Sequence, residues 1–254
     1  MILDTFRLDG RVALVTGTSR GLGQAAAVAL AEAGADVALL DRTPADETAA
    51  MIQALGRRTH SLELDLISAT PDQLVAAVDE VIAALGGLDI LVNNAGIIRR
   101  APLLEHSGKD WDDVLAINLD AVFHLSQAAA RGFVAQGRGK IINVASMLSF
   151  QGGILVPGYT ASKHAVAGLT KAFANELAPH GVQANAIAPG YMATDNTAKL
   201  RADVEREAAI LARIPAGRWG NPADLQGPFV FLASDASNYL TGAIIPVDGG
   251  WLVR

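Results

Sequence analysis

The chain contains no cysteine. Disulfides, thiolate nucleophiles and cysteine-ligated metals are therefore excluded, and a reducing compartment such as the cytoplasm is the natural expectation. No apolar run approaches the roughly 20 uncharged residues needed to cross a bilayer, and the opening "MILDTFRLDGRVALV" lacks the layout of a signal peptide. There is no excess of basic charge: 20 Lys and Arg stand against 26 Asp and Glu, a net charge of −6 without any basic block, which argues against a nucleic-acid partner. The five histidines lack metal-ligand spacing, so no metal is expected.

What remains is apolar and rich in small residues. Hydrophobic residues make up 51% of the 254 and charged residues only 18%, a balance that suggests extra apolar surface buried between subunits. Short runs dominated by Val, Ile and Leu recur along the chain: "RVALVTG", "DVALLD", the weaker "HSLELDL", "LDILVNNAG", "KIINVAS", "VQANAIAP" and "AIIPVDGG". Near-continuous apolar strands are buried on both faces, as in a parallel sheet covered by helices. Ala- and Leu-rich helical segments lie between them at 22–34, 71–85, 110–135, 160–178 and 222–235. This alternation predicts a single α/β domain over 1–254, with a doubly wound, mostly parallel sheet of seven strands and helices on both faces. The stretch 190–220 departs from the rhythm and is the candidate substrate lid.

In such sheets ligands bind beyond the carboxyl ends of the strands. The first strand runs into "TGTSRGLG", where Gly17, Gly21 and Gly23 allow a tight turn, close approach of a pyrophosphate and close helix packing. Asp41 ends the second strand, placed to hold ribose hydroxyls and to repel a 2′-phosphate, which favours NAD over NADP. Arg20 and Arg42 are positioned to argue the other way. Asp65, which ends the third strand in "LELD", is either an acceptor for an adenine amino group or a cap for the next helix. "NNAG", which includes Asn93, Ala95 and Gly96, ends the fourth strand and would let a cofactor lie against backbone.

The chemistry concentrates in "GYTASKHAVAG". Tyr159 and Lys163 stand four residues apart on one helical face, after the strand-ending Ser146. An ammonium there should lower the Tyr159 pKa from its ordinary value of about 10 and let the phenol exchange a proton with a substrate oxygen, which Ser146 would fix in place. A serine hydrolase is the competing use of Ser146, but the G-x-S-x-G elbow is missing.

Together, "TGTSRGLG", "NNAG", Asn118 in "AINLDAVF", Ser146, "YTASK" and "APGYMAT" resemble the short-chain dehydrogenase/reductase family over the whole chain. The resemblance implies a Rossmann-type domain and a tetrad of Asn118, Ser146, Tyr159 and Lys163, with Asn118 holding a water linked to Lys163. It implies that the dinucleotide is held by Gly17, Ser19, Arg20, Gly21, Leu22, Gly23, Asp41, Asp65, Leu66, Asn93, Ala95, Gly96, Pro189, Gly190, Met192 and Thr194, besides Tyr159 and Lys163. Segments such as "ASMLSFQGGI" and "RIPAGRWG" are similar to those of family members that act on sugar acids, and imply NAD and a keto or hydroxy sugar acid as substrate. A carboxylate substrate calls for a cation, for which Arg99, Arg100, Arg213 and Arg218 are the candidates, with Met147, Gln151 and Trp219 as further walls. The family and the apolar helices both point to a homotetramer. Two alternatives are an NADPH-dependent 3-ketoacyl reductase and a dinucleotide-binding protein without activity. Asp41 argues against the first and the intact tetrad against the second.

Overall fold

The computed structural model describes residues 1–254. Its elements follow the expected alternation: β1 (Val12–Thr16), α1 (Gly21–Glu32), β2 (Asp36–Asp41), α2 (Asp46–Ala54), β3 (Thr59–Glu63), α3 (Pro71–Leu85), β4 (Ile90–Asn93), α4 (Gly108–Leu115), α5 (Ala121–Gln136), β5 (Gly139–Val144), α6 (Pro157–Leu177), β6 (Val182–Pro189), α7 (Ala198–Ala202), α8 (Val204–Arg213), α9 (Gln226–Ala233) and β7 (Ile244–Val247). The helix expected over 110–135 is interrupted by a π turn at Ala116–Asp120, between α4 and α5. The segment expected over 222–235 begins as a 3₁₀ turn, Pro222–Leu225, before α9. No helix is long and apolar enough to cross a membrane.

Seven strands form one sheet in the order β3-β2-β1-β4-β5-β6-β7, and every pairing is parallel. The five central strands are buried on both faces because side chains alternate between two helical layers, whereas the edge strands β3 and β7 are only partly covered. Ala13 and Val15 of β1 join the cluster built with Leu30 of α1 and Phe229 of α9. Val12 and Leu14 join the cluster built with Leu74 of α3 and Phe133 of α5. Each fully buried aliphatic or aromatic side chain of this kind contributes roughly 1.5–3 kcal/mol. Local signals set the helix limits. Thr70 accepts the Gln73 N–H while the Gln73 side chain accepts the Thr70 N–H, Pro71 opens the first turn of α3, and Gly86, at φ 87°, closes it.

The chain runs outward from β1 through β2 to β3, then crosses back to place β4 on the other side of β1. The loops after β1 and β4 therefore diverge and open a crevice at the carboxyl edge of the sheet.

Candidate active site

A cleft of about 670 Å³ fills this crevice, a volume in the range of small-molecule and cofactor sites. The turn after β1 forms one wall. Gly17 and Gly21 adopt φ of 73° and 64°, which favour glycine. A Cβ on Gly23 would overlap the Gly17 carbonyl oxygen, so the third glycine allows α1 to pack onto its own entry turn. The first turn of α1 carries no acidic residue, and no side chain caps it. Its N–H groups and the positive end of the helix are thus left for an anion. Asn94 ties the two loops together, its amide donating to the Thr16 and Gly17 carbonyls at 2.8 and 3.2 Å.

Beyond β2, the Asp41 carboxylate accepts the Ser19 N–H at 2.8 Å and the Thr43 N–H at 3.3 Å, linking strand end to glycine turn. Arg20 reaches across the mouth to Asp195 at 3.3 Å, whereas Arg42 lines the cleft without an acidic partner. Asp65 accepts the Ile67 N–H and faces the cleft. It is not the cap of α3, since Thr70 takes that position.

The cleft is also lined by Gly17, Ser19, Gly21, Leu22, Gly23, Leu66, Ala95, Gly96, Tyr159, Lys163 and Thr194, all expected from the sequence. Four residues expected there lie elsewhere. The buried Asn93 side chain donates to Ser126 and Asn143, both at 2.9 Å, on the α5 side of the sheet, and Asn94 takes the cleft position. Pro189 is buried at the end of β6 and is not among the cleft walls. Gly190 packs against Asp248, where a Cβ would not fit. Met192 is buried in the α1–α9 core. Of that segment Ala193, Thr194, Asp195 and Asn196 reach the cleft. Strand alternation puts the two asparagines on opposite faces, and the partners Ser126 and Asn143 decide which face is which.

Tyr159 and Lys163 close the inner end. Lys163 is 5% exposed, its Nζ donates to the Val144 carbonyl at 2.6 Å and lies 5.5 Å from the centre of the Tyr159 ring. Burial pushes its pKa down to about 8. Burial holds the Tyr159 phenol above its ordinary value, against opposing pulls from Ser146 and from the Arg100 charge. The expected lowering of Tyr159 by Lys163 is therefore not what the protein alone provides. Both groups are desolvated, and desolvation disfavours phenolate and ammonium alike. Ser146 accepts the Leu148 N–H at 3.1 Å, which leaves its hydroxyl hydrogen free to donate. Asn118, fully buried in the π turn, spends both amide hydrogens on the Ile97 carbonyl and the Ser162 hydroxyl, and accepts the Ile97 N–H. Its side chain is a brace between the loop after β4 and α6. A π turn at such a position is a common mark of a functional site.

The four candidate arginines divide. Arg99 lies against Asp110 and Asp113 at 3.3 and 3.6 Å. Arg218 grips Asp224 with two N–H groups, at 2.7 and 2.9 Å. Arg100 and Arg213 have no carboxylate partner; Arg213 donates to Gln151 at 3.2 Å. Met147 is 5% exposed beneath Ile210 of α8 and Ile214 just after it, which makes it a support and not a free wall. Trp219 packs edge-on against Tyr191. Trp251, which the sequence did not single out, is buried within its own chain beside Met147, Ile210 and Ile214.

The residues present suit a nicotinamide dinucleotide: an uncapped helix N-terminus for the pyrophosphate, carboxylates for ribose and adenine, and a phenol and an amine at the reacting end. Comparison with known proteins agrees with this geometry. The chain is 58% identical to the 2-dehydro-3-deoxy-D-gluconate 5-dehydrogenase of Escherichia coli, over the full length of both. It is 52% identical to the Bacillus subtilis enzyme of the same name, covering 99% of this chain and 98% of that one. Among solved structures, a gluconate 5-dehydrogenase from Burkholderia cenocepacia in complex with NADP and tartrate superposes with a TM-score of 0.94 at 42% identity, covering 100% of both chains. The profile of the short chain dehydrogenases matches residues 11–205, and the chain belongs to that family.

Proposed function

We propose that the protein is a dehydrogenase that interconverts a keto and a hydroxy sugar acid with NAD(H), the reaction of 2-dehydro-3-deoxy-D-gluconate 5-dehydrogenase. The observation that carries this reading is the placement of Tyr159 and Lys163, with Ser146 beside the phenol, at the inner end of a dinucleotide-sized cleft. Full-length similarity to enzymes of that name supports the substrate.

A bound nicotinamide dinucleotide would supply or accept the hydride and, when oxidised, would add positive charge to the site. The chain's own residues manage the proton. In reduction Tyr159 donates its phenolic proton to the carbonyl oxygen, and in oxidation it takes the proton from the hydroxyl. Ser146 donates to the same oxygen and fixes its position. Lys163, anchored on the Val144 carbonyl, keeps an amine next to the phenol whose charge favours the phenolate when protonated. Asn118 holds the loop after β4 against α6 and so fixes the floor of the site. The water assigned to it would use an acceptor position, since its donors are engaged. The segment 190–220, with α7 and α8, is read as the lid over the substrate.

NAD is the expected partner because Asp41 would meet a 2′-phosphate with like charge, while Arg20 is already engaged by Asp195. NADP is the second reading, favoured by the free Arg42 and by the NADP in the Burkholderia relative. A homotetramer fits the apolar side chains left exposed, among them Leu104, Ile154, Tyr239 and Val253. A cytoplasmic location fits a cysteine-free chain that draws on the nicotinamide pool. The deciding experiment is steady-state reduction of a panel of keto sugar acids and ketoacyl thioesters with NADH and with NADPH. Turnover confined to ketoacyl thioesters, or no turnover at all, would overturn the reading.

A further inference from the structure

Arg213 ends α8, and its guanidinium carbon lies 4.0 Å over the Trp251 ring. One N–H donates to Gln151 Oε1 at 3.2 Å, and no carboxylate accepts from the others. The platform beneath is closely packed. Trp251 is 5% exposed, packs against Tyr191 with ring centres 4.7 Å apart, and lies with Met147, Ile210 and Ile214. Its backbone is held by Asp248, which accepts the Gly250 and Leu252 N–H groups at 2.8 and 2.9 Å. Because arginine is donor-only, its contact fixes which end of the Gln151 amide it meets, and the Gln151 –NH₂ turns outward as a second donor. A flat cation is thus fixed on a flat ring, with spare donors and an amide beside it, on the loop that carries Ser146.

We propose that Arg213, stacked on Trp251 and steadied by Gln151, takes the carboxylate of the substrate, so that the last residues of the chain complete the substrate site. The proposal rests on the sugar-acid reading above. It separates Arg213 from Arg100 by position. Arg100, on the loop after β4, is near enough to Tyr159 for its charge to act on the phenol. In a 2-keto-3-deoxy acid reacting at carbon 5, the carboxylate lies four carbons away and needs a cation at the far end of the pocket. A guanidinium already ordered by stacking loses less freedom on binding than a solvated arginine does.

The test compares wild type, Arg213→Met and Arg213→Lys on a keto sugar acid and on the matching keto sugar without a carboxylate, with NADH affinity measured by fluorescence titration. Arg213→Met is expected to raise KM for the acid and to cut its kcat/KM by roughly 10–150-fold, the loss of one charge-assisted contact. The uncharged substrate should be turned over nearly as before, and NADH affinity should not move. Arg213→Lys, which keeps the charge but not the fork, should fall between the two. An unchanged kcat/KM for the acid in Arg213→Met refutes the proposal while leaving the assigned activity standing. Equal losses on both substrates, in either variant, also refute it, because they mark a structural defect. If wild type itself ignores every keto sugar acid, it is the underlying functional reading that fails.

Discussion

Replacing Lys163 with methionine should abolish turnover, weaken dinucleotide binding, and yet relieve a pH-dependent strain on the fold. Lys163 is 5% exposed, and burial holds its pKa at about 8 against an ordinary 10.5. Between those two values the folded protein binds fewer protons at this site than the unfolded chain, so stability contributed by the site rises with pH across the window from 8 to 10.5. Burying the amine costs about 3 kcal/mol at pH 7, where it stays mostly charged, and only about 1 kcal/mol at pH 9.5, where the folded protein holds it mostly neutral. The variant escapes that cost but leaves the Val144 carbonyl without its donor, a loss of about 1–3 kcal/mol that does not depend on pH. The net sign at pH 7 is thus a close balance, but the slope is not. Urea unfolding of both dinucleotide-free proteins should show the stability of Lys163→Met relative to wild type falling by about 2 kcal/mol from pH 7 to pH 9.5. Taking the difference between the two proteins cancels the other groups that titrate there. A difference that stays flat over this range would refute a depressed Lys163 pKa, and with it an amine able to change charge near neutral pH.

Tyr159→Phe removes only the proton donor, so NADH titration should give a near-normal affinity while turnover falls roughly 10²–10⁴-fold; wild-type kcat would remove Tyr159 from the chemistry. Asp41→Ala should weaken NAD and relatively improve NADP, since it removes both the ribose acceptor and the repulsion near Arg42; a wild-type preference for NADPH in kcat/KM would contradict the assignment. Gly23→Ala should destroy dinucleotide binding and lower thermal stability, because its Cβ meets the Gly17 carbonyl, a backbone atom that cannot rotate away; retention of cofactor affinity would show that the turn is looser than described. Light scattering at micromolar concentration should report a tetramer, and a stable monomer would count against the exposed apolar residues being subunit contacts.

The sequence by itself determined what depends on near neighbours in the chain. Val-, Ile- and Leu-rich runs marked the five central strands, since burial on both faces needs nothing beyond each run's own composition, while the half-covered edge strand β3 left only a weak signal in "HSLELDL". The glycine turn was legible because φ above zero and a close helix approach demand glycine at particular spacings. Tyr159 and Lys163 were legible as a pair because four residues along a helix make neighbours in any fold. Tertiary structure alone decided whatever depends on a distant partner. Which asparagine of "NNAG" faces the cleft was settled by Ser126 and Asn143 waiting behind Asn93. All four arginines carry the same charge in the sequence, but Asp110, Asp113 and Asp224 neutralise two of them and Trp251 holds a third in place. The direction of the Tyr159 shift was likewise out of reach, because a neighbour's charge can be read from spacing whereas desolvation depends on everything the fold packs around the group.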